Sequence, residues 1–397
     1  MKSFFPFFLL AFLALCVPVR RVCAQDFGVI AKTPNILVDD DKVQCPTAAY
    51  TTIQSAVNAA DPGDVIRVCP GTYHEQVVVD KSLILEADNG VIVKPVAVVA
   101  NATSPSGDPI AAIIVAENAA DVQLRGLRLD GAASELMECS PRLVGILYLD
   151  ASGIVAHNAV RHVRLGSSFD GCQSGNAIEV ESSGSGHASV TITNNTVDTY
   201  QKNGITANEP GTRVSIDENT VTGVGPTLGA AQNGIQIGFG AHGTITGNSV
   251  ANNVYSPCSS AANCPANAAG ILIYQSDGIH MQRNVLGANQ VGIFVAANNA
   301  VVGSSTIFHS VALDGIALVG DGNTVNGNDV SNSEDAAVFI QGNNNTVFDN
   351  VFTGATVGIL KISGSSGTTQ FGNLFFATLT TIVDPAPSGK FTPVPSH

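Results

Sequence analysis

The amino-acid sequence predicts an all-β solenoid, a parallel β-helix, from two interleaved repeats. One is a short apolar cassette, most often built on Gly-Ile. It occurs at 176–180, 203–207, 233–237 and 269–273, then at 291–295, 314–318, 336–340 and 357–361. Its last four steps, from 269 to 357, are 22, 23, 22 and 21 residues. The other repeat is Asn-x-apolar, at Asn158, Asn195, Asn219, Asn248, Asn284, Asn328, Asn350 and Asn373, with Ser305 in the one register that lacks the amide. A fixed period in this range is the mark of stacked repeats, each burying its apolar face against the next.

Each cassette is too short for a helix and favours β-branched Ile and Val at inward positions, which fits strands. Gly and Asn mark the corners, where positive φ or a side-chain bond to the backbone is needed. Two or three strands per turn, with turns about 4.8 Å apart, complete the solenoid. The recurring Asn then forms a ladder, each amide bonding to the next turn and satisfying bend groups that would otherwise be buried unpaired. A leucine-rich repeat shares the period and the ladder but needs Leu at its framework positions, where this chain has Ile and Val.

Along the chain, residues 1–24 read as a signal peptide: Lys2, a mostly apolar run from Phe4 to Val19, and small residues near Val22-Cys23-Ala24. Pro18, Arg20 and Arg21 keep that run below membrane-spanning length, and no membrane insertion is expected after cleavage. Residues 26–95 read as an N-terminal cap with the first turns, 96–376 as the β-helix and 377–397 as a C-terminal tail. Within the cap, 26–44 reads as an extended lead-in. Tyr50 to Ala60 reads as one amphipathic helix, capped by Thr51 or Thr52, with Ile53, Ala56, Val57 and Ala60 on its apolar face. Laid across the first turn, it closes the open end of the solenoid. Short strands are expected at 65–68, 76–80, 82–86 and 91–93.

The exported chain keeps Cys45, Cys69, Cys139, Cys172, Cys258 and Cys264. An even number in such a chain reads as disulfides, and six allow fifteen pairings. Bridges local in the stack would be Cys45–Cys69, Cys139–Cys172 and Cys258–Cys264. The formal charge is −14, with no basic run, which argues against nucleic acid as a partner. Neither the cysteines nor His157, His162, His187, His242, His280 and His309 show metal-ligand spacing, and no metal or cofactor is expected. The expected state is a secreted or periplasmic monomer.

Thr52-Ile-Gln-Ser-Ala-Val57, Pro62-Gly-Asp64, Pro70-Gly-Thr-Tyr73 with Glu75, and Lys81-Ser-Leu-Ile-Leu85 resemble the start of many pectin-lyase-like, right-handed parallel β-helix proteins. With the later turns, the resemblance covers about 45–375. It implies a right-handed, single-stranded β-helix with an N-terminal capping helix. That fold carries lyases, hydrolases, esterases, epimerases and non-catalytic proteins, so fold alone does not name an activity. The motifs of individual enzymes in the superfamily are missing. There is no Asn-Thr-Asp as in polygalacturonases, no Trp as in pectin methylesterases, no Asp-Pro-His as in alginate epimerases, and no Asp cluster at turn spacing as in pectate lyases.

The early turns depart from the repeat. Their steps are 27, 30 and 36 residues, and the excess falls between Asn-x-Val and the next Gly-Ile, in 166–175, 223–232 and 252–268, with Ser134–Arg142 one turn earlier. Insertions on one edge build a wall along one face. Outward residues of the Gly-Ile strand run Glu179, Thr206, Gln236, Leu272, Phe294, Ala317, Phe339 and Leu360, polar beside the loops and apolar later. Glu181, Asn208 and Tyr274 lie two residues on. Glu179 and Glu181, about 7 Å apart on one strand face, are candidate catalytic carboxylates, with Lys202 and Arg164 as candidate cations beside them. Asn203, Thr206, Asn208, Gln232, Gln236 and Tyr274 are candidate ligand-binding residues. The competing reading of the charged residues is a solvated pair on a β surface. Two functions follow: a polysaccharide-directed protein, in its sharper form a lyase or hydrolase, and a non-catalytic extracellular or surface scaffold or adhesion protein.

Overall fold

The computed structural model describes residues 36–132, 136–256, 264, 266–386 and 395, all within one compact unit, Pro34–His397. The signal peptide, Cys258 and nearly all of the last eleven residues lie outside the described residues. The chain is a right-handed parallel β-helix, the hand that parallel crossovers take almost without exception. Every turn contributes three strands. The first sheet has 13 strands, from Ile36–Val38 to Thr369–Phe371, and the second has 12, from Gly71–Tyr73 to Leu374–Phe376. The third has 13: a parallel row from Val77–Val79 to Thr380–Ala386, which runs on into the expected tail, and the short strand Ala102–Thr103, antiparallel to Pro109–Glu117.

The two repeats map onto separate places. The Gly-Ile cassettes are the third sheet, and the Asn-x-apolar cassettes are the bend between the first and second sheets. Inward Ile and Val from all three sheets form one continuous core. The helix is shorter than expected, Ile53–Ala59, because Thr52 is extended and caps it through Ser55 N–H. Glu75 adds a second clamp, its carboxylate accepting from the backbone N–H of Ile53 and Gln54. The strand Gly71–Tyr73 falls in a stretch where no strand was expected.

The ladder is continuous. The backbone N–H of Asn158, Asn195, Asn219 and Asn248 each donates to the side-chain oxygen of the next turn's Asn at 2.9–3.0 Å. Ser305 Oγ fills the one gap at 3.2 Å, and the row resumes through Asn328, Asn350 and Asn373. The residue before each rung adopts positive φ, for instance His157 at 58°, Asn194 at 56° and Glu218 at 57°, which turns the corner in a single residue. Asn219→Ala removes the acceptor of Asn195 N–H and the donor to Ile192 C=O, both buried. The expected loss is about 1–3 kcal/mol, read as a lower denaturation midpoint. An unchanged midpoint would show that these groups find water instead.

Two of the expected disulfides are present, Cys45–Cys69 and Cys139–Cys172, with Cα atoms 6.3 and 5.3 Å apart. Cys264 is also disulfide-bonded, and its expected partner Cys258 lies outside the described residues. Among the described residues, no helix is long and apolar enough to cross a membrane.

Candidate functional site

Register brings the outward row together as the repeat predicts. Glu179, Thr206, Gln236, Leu272, Phe294, Ala317, Phe339 and Leu360 are successive neighbours across the third sheet. Glu181, Asn208, Gly238 and Tyr274 form the parallel row. The later, apolar half packs into a cluster of its own around Leu272, Phe294 and Phe339.

The polar half is not a solvated surface. Glu179, Lys202, Asn203, Thr206, Asn208 and Gln236 are fully buried, and Glu181 is 1% exposed. Burial forces pairing, and the amides form a lattice. Asn176 Nδ2 donates to Glu179 Oε2 at 3.2 Å, Asn203 Nδ2 to Thr206 Oγ1 at 3.0 Å and Gln236 Oε1 at 3.2 Å, and Gln236 Nε2 to Asn208 Oδ1 at 2.9 Å. Tyr274 closes the row, half-buried and edge-on to Phe239, with ring centroids 5.3 Å apart.

The cation beside the carboxylates is Arg142, one turn earlier. Its Nη2 lies 3.0 Å from Glu181 Oε1 and 3.4 Å from Glu179 Oε1. Burial, with Glu179 alongside, pushes the Glu181 carboxyl well above the usual carboxylate range. The compact arrangement is one guanidinium facing two buried carboxyl groups on one strand. Arg142 was not foreseen, yet Val144-Gly-Ile-Leu-Tyr148 is itself a cassette of the repeat. Aligning it places Arg142 just ahead of the Glu179 strand, one turn back.

The expected cations lie elsewhere. Lys202 turns toward the loop before the next strand, where Nζ donates to Ala231 C=O at 2.7 Å, and burial pulls its amine down to about 7. Arg164 is exposed and lines a hollow of about 380 Å³ between the inserted loops. Asp170 from 166–175 and Val224, Thr227 and Leu228 from 223–232 wall it. Part of that second loop, against expectation, is strand: Thr220–Thr227 pairs with Ser249–Tyr255 around a bulge.

Two glutamines hold the walls. Gln201 receives Leu165 N–H at 2.8 Å and donates to Phe169 C=O at 2.7 Å, pinning the first loop. Gln232 receives Val224 N–H at 3.2 Å and donates to Tyr200 C=O at 2.7 Å, pinning the second. Ala230 N–H then bonds to Asp170 C=O at 2.8 Å, joining loop to loop. The hollow is therefore preformed, with a cation, a carboxylate and amides around it and the exposed apolar side chain of Leu228 at its rim.

A family model described as periplasmic copper-binding protein (NosD) matches residues 258–384, less than half of the chain. Soft sulfur and imidazole ligands suit copper, but among the described residues of the matched segment Met281 is in the core, Cys264 is disulfide-bonded, and His280 and His309 belong to no converging group of three ligands, so these residues do not make a copper site. Among the described residues, one group of three or more possible ligands converges, Asp39, Asp40 and Asp41, outside that segment. No curated protein sequence matches the chain. Among solved structures, it is similar to a lacto-N-biosidase from Eubacterium ramulus, at 11% identity and a TM-score of 0.61, over 86% of this chain and 67% of that one. It is similar to the surface protein and adhesin PfbA of Streptococcus pneumoniae, at 12% identity and 0.58, over 83% and 94%. An exopolygalacturonase from Thermotoga maritima aligns at 11% identity and 0.55, over 81% and 86%. The two disulfides are consistent with the expected export. The chain thus has the right-handed parallel β-helix fold that these structures share.

Proposed function

We propose that the protein is carbohydrate-directed and takes an acidic sugar chain in the loop-walled hollow of its early turns. The observation that carries this is the hollow itself: two loops inserted at the same place in successive turns, stapled by Gln201 and Gln232, converge on an exposed guanidinium. Arg164 offers the planar fork that matches a uronate carboxylate, and Val224 and Leu228 offer apolar contact for a sugar face. Glycan-active and adhesive proteins among the similar structures support the class. Glu179, Glu181 and Lys202, as candidate catalytic residues, would act only on a substrate that reaches the buried lattice.

Arg164→Ala is expected to weaken binding of a uronate oligosaccharide roughly ten-fold, the loss of one charge-assisted contact, with no change in melting temperature. Calorimetric titration measures the first and circular dichroism the second. Unchanged affinity would remove the hollow from the reading. A parallel screen on uronate polysaccharides, followed by absorbance of unsaturated products and by reducing ends, separates the two classes. Binding with turnover supports the lyase or hydrolase. Binding without turnover supports the scaffold, the reading favoured by the complete burial of both carboxylates.

A further inference from the structure

The outer face of the first sheet carries a second cleft, away from the loops. Register sets its floor. Ser189, Arg213 and His242 are neighbours on three successive turns. Two residues along, Thr191, Ser215, Thr244 and His280 form the next row across four turns. The cleft opens because the strand His280–Gln282 starts opposite Thr244, two residues later than His242–Thr246. Gly278 precedes it at a φ of 71°, with open space where a side chain would lie. The resulting cavity is about 430 Å³, and a smaller one of about 300 Å³, reaching His187, shares Arg213 and His242 with it.

Its chemistry is unlike the rest of the chain. On a protein of formal charge −14, this cleft gathers one guanidinium and two exposed imidazoles. Arg213 makes no ion pair or side-chain hydrogen bond among the described residues, and neither do His242 and His280. Asp217, four residues along the same strand, accepts from Ser215 Oγ. An exposed, unpaired arginine aligned with a ladder of hydroxyls is a fixed positive point with polar partners at each turn, about 4.8 Å apart. That spacing is comparable to the length of a sugar ring. A chain of sugars laid along the solenoid axis meets one residue of each row per turn.

We infer that this cleft binds a uronate-containing polysaccharide, with Arg213 holding a carboxylate, His242 beside it, and Thr191, Thr244 and His280 receiving sugar hydroxyls. The inference stands apart from the loop-walled hollow, since the two sites lie on different sheets and each can fill without the other.

The test uses the mature chain carrying Arg164→Ala, so that the hollow is weakened while the cleft is intact. Tetragalacturonate is titrated while the imidazole resonances of His242 and His280 are followed. Both are expected to shift saturably, and Arg213→Ala is expected to raise the apparent Kd roughly ten-fold or more. Arg213→Lys should recover part of that loss, since it restores charge without the fork. A neutral cello-oligosaccharide is expected to leave both resonances in place. The inference is overturned if neither resonance moves, or if Arg213→Ala leaves the titration unchanged. An equal response to a sulfated chain without uronate would overturn the uronate assignment by showing a site for any polyanion.

Discussion

Ile235→Asp is expected to abolish folding. Ile235 is fully buried in the third sheet, stacked between Ile205 and Ile271 of the adjoining turns. The substitution removes a packed side chain, at about 2–5 kcal/mol for such truncations. It also places a carboxylate where no cation or water reaches, and the desolvation cost adds several kcal/mol more. The sum, on the order of 5–10 kcal/mol, rivals the whole stability of a typical domain. In a solenoid the damage passes to both neighbours, because each turn is completed only by the next. Far-UV circular dichroism of the purified variant is the check. A soluble variant with an unchanged melting curve would mean that Ile235 faces outward and that the inward assignment of the cassette is wrong.

Arg142→Met is expected to cost about 3–5 kcal/mol near neutral pH. The methionine keeps the aliphatic bulk but leaves Glu179 and Glu181 buried without their cation. The sign of the pH dependence follows from the raised Glu181 carboxyl. The native state holds a proton that the unfolded chain releases above the ordinary carboxylate range. Stability therefore falls as pH rises from that range toward the raised value, and is recovered on acidification. Removing the guanidinium deepens this dependence. Urea midpoints at pH 5 and pH 8 should show a clearly smaller loss at pH 5. An equal loss at both pH values would mean that the carboxyls are not what the arginine stabilises.

The parts of the molecule that repeat were legible in the sequence. Asn195, Asn219 and Asn248 recur with an apolar residue two places on, which revealed the ladder, and the Gly-Ile cassettes revealed the register of the third sheet. Alternation, however, speaks only of sidedness. It put Glu179 and Gln236 on the outer face correctly and implied contact with water that burial contradicts. The partner of Glu179 escaped notice because the Val144–Tyr148 cassette was not counted as a turn, leaving Arg142 without a register. Lys202 and Arg164 lie just outside strands, where the chain bends with its loop and spacing no longer predicts direction. The cleft on the first sheet was invisible for a different reason. Arg213, His242 and His280 are separated by turns of unequal length, so nothing in their spacing marks them as neighbours.

The placement of the crosslinks gives this rod a direction. Cys45–Cys69 and Cys139–Cys172, together with the helix Ile53–Ala59, fasten the early turns. The last turn instead leaves Phe371, Leu374 and Phe376 more than half exposed. Because each turn leans only on its neighbours, opening proceeds like a zip from the unfastened end, and the late turns exchange their amide protons and meet proteases first. The hollow and the cleft both sit upstream of that end. The early turns, which hold both, are then the last part of the stack to open.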